Sequence, residues 1–136
     1  MEGIVEKFST FCLDEGDKYA DESGLVILER AQVFTPTNVV VDMLAHIPED
    51  MWEDGKTFID PECGIGQMVV PVAIIKKELG HTNALATIYG VELYQDNVDL
   101  CRSRLLDIFG HDEVNIKQVR KNIVCTDSLT YDFEFS

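Results

Sequence analysis

Three acidic residues stand where short apolar runs end: Asp60 after "TFI", Glu92 after "IYGV" and Asp127 after "NIVCT". The first is followed at once by "PECGIG", with Gly64 and Gly66 two apart. Glycines in such a loop let backbone amides approach a bound molecule where a side chain would block it. A carboxylate at a strand end can accept two hydrogen bonds from the vicinal hydroxyls of a ribose, and another can accept from an adenine amino group. Gly64 and Gly66 alone also read as a tight turn, and each acid alone as a solvated loop residue. Together, three acids at successive strand ends and a glycine loop point to a nucleoside-type cofactor. The chain has no G-x-x-x-x-G-K-[ST] segment, which argues against a phosphate-binding nucleotide hydrolase. Asp60, directly before the loop, argues against a pyrophosphate and suits a ligand that carries an ammonium group.

These residues can meet only if strands bring them to one end of a sheet. "KTFID" predicts a short strand, Lys56 to Asp60. "LATIYGVEL" is nearly all apolar, as a strand buried on both faces should be. "NIVCTDSL" predicts a third strand that breaks at Thr126 and Asp127. Between the first two, "QMVVPVAIIKKELG" predicts a helix that stops at Gly80, with Pro71 early enough for its missing N–H to cost little. Between the second and third, "YQDNVDLCRSRLLDIFG" predicts an amphipathic helix ending at Gly110. Val98, Cys101, Leu105 and Ile108 line its apolar face, with Arg102 and Arg104 off that face.

Upstream, Ile4, Phe8, Phe11 and Cys12 fall at helical spacing, and "DESGLVILER" predicts a further short turn with a break at Gly24. In "FTPTNVVVDMLAHIP", Thr35 is placed as the N-cap and Pro36 as the first helical residue. Val39, Val40, Met43 and Leu44 form the expected apolar face, and Pro48 closes the unit. Trp52 is expected to pack down as an anchor. The pattern is one α/β domain, residues 1–136. A helical part, residues 1–54, precedes a strand–helix–strand–helix–strand part, residues 55–136, whose strands run parallel.

Composition narrows the class. The chain is 46% hydrophobic and 26% charged, which suits a folded domain with one core. Its longest apolar run, "MVVPVAII", is far too short for a membrane span, and "MEGIVEKFST" does not read as a signal peptide. A cytoplasmic protein without a membrane partner is the expectation. Cys12, Cys63, Cys101 and Cys125 form no C-x-x-C pair, so reduced thiols are expected and no metal site. The net charge is −14, and residues 1–54 carry 13 acids against Lys7, Lys18 and Arg30. A free-standing nucleic-acid binder should have the opposite sign. The acids read either as a solvated surface or as a face that docks on a basic partner.

The motifs resemble the class I S-adenosylmethionine-dependent methyltransferases, specifically the adenine amino-methyltransferases of DNA restriction–modification systems. "DPECGIGQ" is similar to their D-P-x-x-G-x-G loop. The resemblance implies that Asp60, Pro61, Cys63, Gly64 and Gly66 surround the methionine part of the cofactor. "QVFTP" resembles the segment that lies against the methionine end, which implies binding roles for Phe34, Thr35 and Pro36. "YGVELYQDNVDLCRSRL" resembles their second motif, making Glu92 the ribose acid and Leu93 a neighbour of the adenine. "NIVCTDSL" resembles the third, with Asp127 and Leu129 near the adenine. The likeness runs from about Gln32 to Leu129 and implies a partial Rossmann-like methyltransferase fold with flanking helices and an N-terminal helical cap.

The family's catalytic N-P-P-Y or D-P-P-Y is absent, since Pro36, Pro48, Pro61 and Pro71 are never adjacent. No residue is therefore assigned the role of holding the target base, and the chain reads as truncated before that motif. Three strands of this fold would lie in the order 3-2-1, leaving the first at an edge. An open edge invites a second copy, a protein partner, or cover from the N-terminal helices. Nucleic acid is expected to be reached only through a partner or a missing domain. Two functions follow: the cofactor half of an adenine methyltransferase, or a non-catalytic cofactor-binding or acidic regulatory module.

Overall fold

Parallel pairing of three short strands builds the frame of the molecule. In the computed structural model, residues 3–17 and 35–135 are described. Among them β1 (Phe58–Asp60), β2 (Ile88–Glu92) and β3 (Ile123–Cys125) form a sheet in the order β1-β2-β3. Phe58 pairs with Ile88 and Asp60 with Gly90, while Glu92 pairs with Cys125. The expected order holds, with β1 at an edge, and the carboxyl ends of all three strands lie together.

Five helices are described: α1 (Ile4–Asp17), α2 (Thr37–Leu44), α3 (Val69–Glu78), α4 (Gln95–Phe109) and α5 (Glu113–Asn122). α3 and α4 pack against each other and against β2. Val69, Val70, Val72, Ala73 and Ile75 of α3 are fully buried, as are Val98, Cys101 and Leu105 of α4. Each buried aliphatic side chain contributes on the order of 1.5–3 kcal/mol, so these two helices hold the sheet. Ile88, Gly90 and Ile123 point the same way by strand alternation. Gly90 is required there: a Cβ would lie 2.8 Å from the Cys63 sulfur. On the other face Ile59 is 45% exposed, and Phe135 packs on its register partner Tyr89 at 4.8 Å between ring centroids.

α1 packs across α2 and α3. It buries Val5, Phe8 and Cys12, and the Cys12 thiol reaches Pro71 O at 3.7 Å. Burial pushes that thiol up to about 11. Phe11, expected on the same face, is 52% exposed, and Val5 takes its place in the core. The turn expected through "DESGLVILER" and the break at Gly24 lie outside the described residues.

α2 begins at Thr37, so Pro36 is the cap residue and Thr35 precedes it. Its Val39 and Val40 amides both donate to Pro36 O at 3.0 Å. The buried face is Val40, Val41 and Leu44; Val39 and Met43 face outward at 41% and 50% exposure. Packing against α1 selects this face, one position round from that read off the spacing. Trp52, in a 3-10 turn at Glu49–Trp52, is buried as expected.

Both predicted N-terminal strand boundaries move inward. The Lys56 carbonyl accepts from the buried Lys76 ammonium at 2.6 Å instead of entering the ladder. Ala84–Thr87 forms a 3-10 turn, closed by Thr87 Oγ1 donating to Ala84 O at 2.7 Å. α5 is an addition to the expected order. Asp112 caps it by accepting from the Asn115 amide at 2.8 Å, and Val119 and Asn122 are buried against the rest. Asn122 then donates to Leu85 O and Ile88 O, tying the helix to the start of β2. No helix among the described residues is long and apolar enough to cross a membrane.

Candidate cofactor site

At the carboxyl ends of the strands lies a cavity of about 470 Å³. That size is in the range of pockets that hold small organic ligands. Pro61, Gly64, Glu92, Leu93, Asp127 and Leu129 line it, all six singled out from the sequence. Asp60, Cys63 and Gly66 stand behind this surface in the same loop and are not among its lining residues. Thr35 and Pro36 lie at the start of α2 and do not line it either, while Phe34 is outside the described residues.

The three strand-end acids share one device. Asp60 Oδ1 accepts from the Glu62 amide at 3.0 Å, Glu92 Oε2 from the Tyr94 amide at 2.8 Å, and Asp127 Oδ1 from the Leu129 amide at 3.0 Å. Each carboxylate thus fixes the turn that follows its strand with one oxygen. Of the three, Glu92 and Asp127 line the cavity, and Asp60 does not. Glu92 is held hardest, because the buried Asn97 amide also donates to Oε2 at 3.1 Å. Asn97 and Tyr94 belong to the start of α4, so the same helix that fills the core aims the acid.

Charge in the site is unbalanced. Burial raises the Asp60 carboxyl above the ordinary carboxylate range; the Glu62 amide opposes this, and the Glu62 and Glu92 carboxylates add to it. A cationic group placed among them would relieve that strain. Leu93 and Leu129 are 57% and 90% exposed at the cavity's rim. Apolar side chains so placed offer flat contact to a ring between the acids.

The loop between β1 and α3 is held from below. The Cys63 amide donates to Val91 O at 2.9 Å, and the Gly66 amide donates to Cys63 O at 2.8 Å. Gly66 has φ +103°, and a Cβ there would meet Val70 Cγ2 at 2.7 Å. Arg104 of α4 is 3% exposed and its Nη1 donates to Ile65 O at 2.8 Å. The sequence reading put Arg104 off the apolar face; it lies on it, one helical step from Cys101. The signal was its spacing of three from Cys101, against which its charge was weighed too heavily.

The family model for N-6 DNA methylase matches residues 17–135, and the chain belongs to that family. A Type II methyltransferase, M.VspI of Vibrio sp. (strain 343), is 31% identical over 85 residues, which is 62% of this chain. Those residues are 19% of that relative's length, so the chain spans only a small part of it. No solved structure gives a significant match.

Proposed function

We propose that the chain binds S-adenosylmethionine in the strand-end cavity and serves as the cofactor-holding part of an adenine-specific DNA methyltransferase. The observation that carries this reading is the set of three strand-end carboxylates, each fixed to its own turn through one oxygen, with Glu92 and Asp127 lining the cavity and Asp60 directly behind it. The donor chemistry fits the cofactor. Glu92 would accept from the ribose hydroxyls and Asp127 from the adenine amino group, with Leu93 and Leu129 against the adenine ring. Asp60, raised by burial and by neighbouring acids, suits the methionine ammonium. When bound, the cofactor supplies a methyl group on a sulfonium. The residues of this chain bind and orient that donor, and none of them is assigned the acceptor.

Presentation of an adenine belongs, in this proposal, to another polypeptide segment, since the chain contains no N-P-P-Y or D-P-P-Y. The edge of β1 that pairs with no strand among the described residues, with Ile59 exposed on the sheet face, is the surface we assign to that partner or to a second copy. With a net charge of −14 the chain is assigned no direct DNA groove. Isothermal calorimetry with S-adenosylmethionine tests the first half, and saturable one-to-one binding is expected. Absence of heat at millimolar cofactor would remove the proposal. A methyl-transfer assay on DNA with the chain alone should give no turnover. Turnover there would overturn the need for a partner.

A further inference from the structure

We propose that Arg104 is a positioning residue for the methionine side of the cofactor site, acting through the backbone of the glycine loop. This rests on the reading of the cavity as an S-adenosylmethionine site. Arg104 is 39 residues from the loop in sequence, yet its guanidinium donates to Ile65 O at 2.8 Å from within the core. The same peptide unit, Ile65 to Gly66, has its amide on Cys63 O at 2.8 Å. Both polar ends of one peptide are therefore held inside the protein, and that peptide cannot turn over without losing two hydrogen bonds.

The turn's shape leaves no room for a slack alternative. Gly66 sits at φ +103°, with Val70 Cγ2, Cys101 Sγ and Arg104 Nη1 at 2.7, 3.4 and 3.6 Å from where a Cβ would be. Cys101 and Arg104, one helical step apart on α4, form the floor under the loop. The Cys101 thiol is a hydrogen-bonding neighbour of the Cys63 thiol, which with burial keeps Cys63 protonated. The guanidinium holds the Ile65 carbonyl on the core side of the loop. The Ile65–Gly66 peptide directly follows Gly64, which lines the cavity, so a flip of that peptide would shift the lining itself. A buried cation is costly unless its hydrogen bonds are made. Spending one on a loop carbonyl ties the geometry of α4, which also aims Glu92, to the geometry of the loop.

The consequence separates the two ends of the ligand. Arg104 should govern binding of the methionine end and leave the adenosine end to Glu92 and Asp127. The test uses the full chain and two probes, S-adenosylmethionine and 5′-methylthioadenosine, which lacks the amino-acid group. For Arg104→Met we expect S-adenosylmethionine to bind about tenfold to a hundredfold more weakly, the scale of a lost charge-assisted hydrogen bond. The nucleoside should bind as to the unaltered protein. Should Arg104→Met fail to fold, Arg104→Lys is read in the same way, because its ammonium ends one bond short of Nη1. Nucleoside binding by the variant certifies that it is folded. An equal loss for both probes would reduce Arg104 to a core residue, and unchanged affinity for both would also overturn the proposal. If the unaltered protein binds neither probe, the cofactor reading itself fails, which is a different result.

Discussion

Glu92 is the residue on which the cofactor reading can be tried most sharply. It is 8% exposed, and its Oε2 already serves two donors, the Tyr94 amide at 2.8 Å and the Asn97 side chain at 3.1 Å. Glu92→Ala therefore does two things. It removes the proposed ribose acceptor, and it takes one acceptor from Asn97, which is 1% exposed. Removing those hydrogen bonds costs about 0.5–1.5 kcal/mol each. In a chain of this size that lowers the melting temperature by roughly 3–5 °C for each kcal/mol. Glu92→Gln separates the effects. Its amide oxygen can keep the α4 donors while its NH2 faces the cavity, so stability changes little. Binding loses the charge-assisted hydrogen bond, about 1–2 kcal/mol, or roughly a fivefold to thirtyfold rise in Kd. Glu92→Ala should lose about 1.5–3 kcal/mol of binding on the same scale. Calorimetry with S-adenosylmethionine, paired with thermal melts of the cofactor-free variants, reads both quantities. A folded Glu92→Ala that binds the cofactor as tightly as the parent would refute the ribose role and with it the orientation of the ligand.

Two further outcomes follow from buried charge. The folded state holds the Asp60 proton to higher pH than the unfolded chain does, so Asp60 costs stability as pH rises from its ordinary value of 3.8 through the raised one. Asp60→Asn should raise the melting temperature of the cofactor-free protein at neutral pH and weaken S-adenosylmethionine binding; a variant that loses stability, or binds as before, contradicts this. Burial of Lys76 lowers its pKa from 10.5, so the unfolded chain keeps that proton to higher pH and the residue adds stability as pH climbs from the lowered value toward 10.5. Urea melts across the alkaline range should show this rise in the parent and lose it in Lys76→Met.

The strands and the site-forming turns were readable because their signals are local. A run such as "IYGVE" has one reading as a buried parallel strand, and the acid that ends it is also the acid that closes the turn. Helix α3 was equally plain, since its buried residues are consecutive and no choice of face was needed. Faces were harder. In α2 the apolar run "VVV" lets the helix turn by one position at no cost in hydrophobicity, and among the described residues packing against α1 decides between Val39 and Val41. α5 was hidden by its polarity: "EVNIKQVRKN" buries little besides Val119 and Asn122, and its capping acid Asp112 was the cue left unused. Arg104 was missed for a reason of kind. A charge at a core position reads as misplaced until a carbonyl 39 residues away is found to need it.

The shared turn device at the three strand ends cuts against the cofactor reading before it supports it. An acid that caps the turn two residues on has a structural reason to exist, and each of the three has that reason. Asparagine, however, would cap the turn after β1 as well as aspartate does, without bringing a charge into a buried place beside Glu62 and Glu92. The turn needs an acceptor and not a charge; under the proposed function, the charge would serve the ligand. Burial and those neighbours hold Asp60 above the ordinary carboxylate range, an electrostatic cost in the folded chain that the turn does not require. A cation in the cavity would use it. The cost falls on the residue next to the loop that Arg104 holds, on the side assigned to the methionine end. Under the proposed function, the charge that destabilises the cofactor-free protein would also favour an ammonium-bearing ligand over a plain nucleoside.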